Sequence, residues 1–73
     1  MYRIIYNKVY STEKEAFSDF NKIKGNATNP KVVKGKAIGT WLIVLYECKT
    51  KERLEQGCSY FRAKKLKVYR TEF

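Results

Sequence analysis

Arg3, Asn7, Trp41 and Tyr69 are the side chains of this 73-residue chain best suited by type to hold a sugar ring. Indole and phenol faces pack on the C–H faces of a sugar, while guanidinium and carboxamide groups reach its hydroxyls. Such a set offers binding rather than catalysis. Glu47 and Glu52 are the two carboxylates near a strand end and a helix start where a pair could converge, as glycoside hydrolysis requires. Glu52, however, reads first as a residue that complements a helix dipole. The chain has no histidine, which removes Ser-His-Asp and Cys-His catalysis, His-containing zinc sites and haem ligation by imidazole. Its two cysteines, Cys48 and Cys58, cannot complete a four-thiolate metal site and are expected as free, buried thiols. The expectation is a non-enzymatic chain with no cofactor and no metal.

The elements that must carry these groups follow from periodicity and capping. Tyr2 to Val9 is rich in Ile, Val and Tyr and reads as a strand. Thr12 followed by Glu15 is a capping box, and Ala16, Phe17, Phe20 and Ile23 form one apolar stripe, so a helix is expected from about Glu13 to Lys24. Gly25 stands where a left-handed cap would end it. Residues 26–30, closing on the single proline, are turn chemistry, and Lys31 to Lys36 reads as a short edge strand. Gly35 and Gly39 bracket a turn. Thr40 to Glu47 is apolar on both faces and belongs in the middle of a sheet. Thr50 can cap a second helix that presents Leu54, Cys58 and Phe61, and Leu66 to Glu72 alternates as a last strand. The order is βαββαβ. It predicts one domain over residues 1–73, of the α+β class and ferredoxin-like, with a four-stranded antiparallel sheet and both helices on one face.

A shift of 38 residues lays Thr12 on Thr50, Ala16 on Leu54, Phe20 on Cys58 and Ile23 on Phe61, so the two halves match as a split βαβ duplication would. Carried into the strands, the same shift sets Arg3, Ile5 and Asn7 against Trp41, Ile43 and Leu45. Arg3 and Asn7 resist burial under helices, so this set, with Tyr69, is expected on the open sheet face. Ile5, Ile43 and Leu45 would form an apolar row there, and such a row, or the edge strand at Lys31 to Lys36, suits pairing into a homodimer. A slip of one residue exchanges the faces and makes Trp41 core instead.

Tyr2-Arg3-Ile4-Ile5, the turn through Ser11-Thr12-Glu13-Lys14-Glu15-Ala16, and Thr40-Trp41-Leu42-Ile43-Val44 with Thr50-Lys51-Glu52 resemble the two half-repeats of the SPOR (sporulation-related repeat) domain. That family pairs a short strand with a Ser/Thr-Lys/Glu-Glu-Ala helix start, twice. The resemblance implies binding of bacterial peptidoglycan, as in modules at the C-terminal ends of cell-wall amidases and phage endolysins, clostridial ones included. Where the family carries Val-Gly-x-Phe, this chain has Tyr6-Asn7-Lys8-Val9-Tyr10 and Leu45-Tyr46-Glu47-Cys48. What it implies here is therefore wall binding in the broad sense, to peptidoglycan or another wall polysaccharide.

Sixteen Lys and Arg against seven Asp and Glu give a net charge of +9, a field that attracts polyanions. On the wall reading these are teichoic-acid phosphates or peptidoglycan carboxylates. The alternative is a small phage or mobile-element protein that binds nucleic acid or inhibits a host protein, although the RNP pattern of RNA-reading ferredoxin-like domains is absent. An oligomerisation domain without a ligand is a third reading. No membrane partner is expected, since the longest apolar run is Trp41 to Tyr46. Met1 leads directly into a strand pattern rather than a secretory leader, so the chain is expected to be made in a host cytoplasm and to act at the cell wall after release.

Overall fold

Thr12 and Thr50 begin the two helices in the same way. Both lie in extended backbone, and their hydroxyls accept from the amides of Glu15 and Arg53, which satisfies one orphan donor at each helix start. A computed structural model describes residues 1–27 and 29–72. Its elements are β1 (Tyr2–Tyr6), α1 (Glu13–Ile23), a 3-10 turn (Lys24–Asn26), β2 (Lys31–Lys34), β3 (Trp41–Cys48), α2 (Lys51–Ala63) and β4 (Val68–Glu72). The strands form one antiparallel sheet in the order β2-β3-β1-β4, the βαββαβ arrangement expected.

Helix ends differ from expectation in one respect. Gly25 does not adopt a left-handed cap; α1 tightens through it into the 3-10 turn, and the Ala27 amide closes that turn on the Lys24 carbonyl. The left-handed residue is instead Lys65, at φ 62°, beyond α2. There the Leu66 amide reaches back to the Phe61 carbonyl and the Lys65 amide to that of Arg62, so the last carbonyls of α2 are satisfied. Of the expected turn at 26–30, Thr28 lies outside the described residues.

One core lies between the sheet and the helices. Ile4, Ile43, Leu45 and Cys48 from the strands pack with Ala16 and Ile23 of α1 and with Leu54, Cys58 and Phe61 of α2. Tyr10 joins them, tied to β3 by a two-way bridge in which its amide donates to the Trp41 carbonyl and the Trp41 amide to its own. Its phenol donates to the Asp19 carboxylate at 2.7 Å, and burial together with that bond pushes the Tyr10 hydroxyl well above the ordinary tyrosine range. Both cysteines are free and buried.

The pairing of β1 with β3 breaks step once. Ile4 pairs with Tyr46 and Ile5 with Val44, so Leu45 is an extra residue on β3 with no partner on β1. At this bulge Leu45 and Tyr46 both turn to the helix side, where Leu45 is fully buried and Tyr46 packs against the core. Gly57 of α2 makes room for this. A Cβ there would stand 2.7 Å from the Ile4 Cδ1 and 3.2 Å from the Tyr46 ring, so only glycine lets the helix approach so closely.

Candidate ligand groove

The helix-free face has its own small apolar row. Ile5 and Val44 pair across β1 and β3 and are buried, yet neither belongs to the cluster under the helices. Lys31 on one side and Tyr69 on the other complete the cross-strand row over all four strands. Beside it lie the pair Val33 and Leu42 and, on the opposite flank, the line Glu47, Arg3, Thr71. On this face lies a groove of about 370 Å³, floored by Ile5, Val33 and Leu42, and walled by Arg3, Tyr69, Thr71 and Glu72. The turn from Gly35 to Ala37, with Val9 beside it, closes one end. A methyl group on Gly35 would overlap the Thr40 hydroxyl, which holds the turn by donating to the Ala37 carbonyl at 2.6 Å.

Arg3 is oriented along the wall by Glu47. Its Nε donates to Glu47 Oε2 at 2.8 Å, while Lys31 Nζ stands 2.6 Å from Oε1 on the other side. The Lys31 ammonium and then the Arg3 guanidinium hold the Glu47 carboxyl below the usual carboxylate range. Glu47 is thus a fixed anion between two cations, which suits an orienting role better than proton transfer. Because its folded pKa is lowered, the stability it contributes is fully present above the unfolded carboxylate value of about 4.3 and is lost as the pH falls through the folded value. Glu47→Gln is expected to lower stability at neutral pH by roughly 0.5–1 kcal/mol and to shrink the loss on acidification, as melting curves at about pH 7 and pH 3 would register. An unchanged acid-induced loss would mean that the triad carries no stability.

Four of the residues expected on this face are elsewhere. Ile43 and Leu45 are fully buried in the core beneath the helices, and Trp41 packs half-buried against that same core, with the Lys34 ammonium 5.9 Å from its ring centre. The bulge is the cause: ahead of Leu45 it exchanges the two faces of β3 relative to a register carried over from β1. Burial takes Ile43 and Leu45 out of any contact between chains. Asn7 is exposed in a bend past the end of β1, where its amide donates to the Lys67 carbonyl at 2.8 Å, and it is not among the groove residues. Arg3, Ile5 and Tyr69 are brought together on the open face as expected, and Leu42, Val33 and Thr71 join them. Alternation alone would have found Leu42, had β3 ahead of the bulge been read with its even residues facing away from the helices.

Comparison with models of protein families, with curated proteins and with solved structures finds no match for this chain. Among the described residues no helix is long and apolar enough to cross a membrane.

Proposed function

We propose that the chain is a non-catalytic module that binds bacterial cell-wall glycan in the groove on the helix-free face of the sheet. What supports this is the groove itself, an apolar floor of Ile5, Val33 and Leu42 beneath one aromatic ring, Tyr69, with a guanidinium and a hydroxyl at the rim. The C–H faces of a sugar pack on such a floor, and its hydroxyls meet Arg3, Thr71 and the backbone of the 35–37 turn. The +9 charge gathers wall polymers bearing phosphate or carboxylate near the groove without specifying the sugar. On this reading the chain acts at the wall, after release from the cytoplasm in which it is made.

Sedimentation with purified Gram-positive cell walls, beside sheared DNA, at low salt and at about 0.5 M salt, tests the reading. Packing on an apolar floor survives screening, whereas pure phosphate attraction falls steeply, so a substantial bound fraction is expected at the higher salt. Tyr69→Ala should weaken wall retention roughly tenfold, the loss of one ring contact. Binding that disappears with salt, with DNA retained equally well, would replace the glycan by nucleic acid as partner. A second copy seated on the same face would close the groove. A mass of about 8.6 kDa by light scattering would exclude such a face-to-face pair, which has twice that.

A further inference from the structure

A second hollow lies on the other side of the molecule, between α2 and the 3-10 turn that leaves α1. Of about 500 Å³, it is larger than the groove, and its walls are Tyr46 from β3, Arg53, Gln56, Tyr60 and Phe61 from α2, and the segment Gly25 to Ala27. Residues 53, 56 and 60 recur at helical spacing on one side of α2, beside the face that buries Leu54, Cys58 and Phe61. Tyr46 reaches the hollow because the bulge turns it to the helix side and because Gly57, also in the wall, has no side chain to occupy its place. Two tyrosine rings therefore flank a space whose one charged group is the Arg53 guanidinium, beside the Asn26 and Gln56 carboxamides, which both donate and accept.

The charge of the hollow has one sign. No carboxylate lines it, and the side chains of Arg53 and Gln56 form no hydrogen bond or ion pair among the described residues. Neither phenol, that of Tyr46 or of Tyr60, makes a hydrogen bond there either. Lys64 adds to the field, its ammonium standing 5.7 Å from the Tyr60 ring centre. A guanidinium fork with unspent donors matches a phosphate better than any neutral group, and phenol faces beside it match a sugar or a base attached to that phosphate.

From this arrangement we infer that the cleft between α2 and the 3-10 turn is a binding site for a small phosphorylated sugar, its phosphate on Arg53 and its ring between Tyr46 and Tyr60. The site is independent of the groove on the opposite sheet face, and the two readings stand or fall separately. The same chemistry has two sources, a nucleotide or a sugar phosphate of the kind found in wall polymers.

Titration of the whole 15N-labelled chain with uridine monophosphate, with glucose 1-phosphate and with inorganic phosphate tests the inference. Saturable shifts are expected at the amides of Asn26, Gln56, Gly57 and Tyr60 for one or both organic phosphates, and weaker ones for phosphate alone. A nucleotide preference would assign the first source and a glucose 1-phosphate preference the second. Arg53→Gln should weaken binding roughly tenfold, the loss of a charge-assisted pair, while Arg62→Gln, which removes the same charge near the end of α2, should change it little. Tyr60→Leu, at an exposed position where folding is not at risk, should weaken the organic phosphates and leave inorganic phosphate unaffected. The absence of saturable shifts with all three probes would overturn the proposal, and so would equal weakening by Arg53→Gln and Arg62→Gln.

Discussion

Ile43→Lys is expected to leave no folded protein, whereas Leu42→Lys, one residue earlier, should leave a folded chain that no longer binds. Ile43 is fully buried among the side chains of both helices, so a lysine there would place an unpaired ammonium in the core. Desolvation of such a charge costs several kcal/mol, and a domain of this size holds about 5–10 kcal/mol in reserve at most. Leu42 lies on the other face of β3, beside Val33 in the groove floor, where the ammonium of a lysine reaches water along its own stem. The cost there is about 1–2 kcal/mol of lost apolar contact. Circular dichroism and wall sedimentation read the two effects separately. A folded Ile43→Lys would show that the faces of β3 are reversed, and a Leu42→Lys that still sediments with walls would remove the glycan from the groove.

The second large effect is expected at the single tryptophan. Trp41→Ala should lower stability by about 2–3 kcal/mol, less than the 3–5 kcal/mol of a fully enclosed ring because Trp41 is only half-buried. It packs against the core at the point where β3 is bridged to Tyr10, so its loss also loosens the segment that carries the Tyr10–Asp19 bond. Binding to cell walls, measured below the lowered melting temperature, should be nearly unchanged. An unaltered melting temperature with lost binding would restore the indole to the role of a ligand platform.

These expectations rest on a fold whose order was legible from a few local signals. Thr12 and Thr50 announced both helices, because a hydroxyl placed before an apolar stripe has a specific use at a helix start. The apolar run after Gly39 announced a central strand, as β3 is, flanked by β2 and β1. Which face each residue occupies was not legible in the same way. The shift of 38 residues relates Tyr10 to Cys48, both core residues, and holds for the part of β3 after the bulge. Before it, Trp41 and Ile43 are displaced by the one unpaired residue, Leu45, and nothing in a strand apolar on both sides marks where that residue falls. The charged residues fared better. Arg3 was assigned to the open face because it would not be buried, and there it meets Glu47, a pairing that depends on register and is invisible in composition.

Cys48 and Cys58 give the molecule a built-in clock for its own breathing. One thiol hangs from the last residue of β3 and the other from the middle of α2, on the two sides of the seam between sheet and helix. Burial raises the Cys58 thiol above its ordinary pKa and hides it from solvent, so in the closed state Cys58 is shielded from a reagent. Alkylation of Cys58 must therefore wait for α2 to lift from the sheet, and its rate in excess reagent counts those openings one by one or as a pre-equilibrium, according to how fast the seam recloses. A ligand that bridges α2 to the 3-10 turn would slow that clock, while one lying on the far face of the sheet would leave it running.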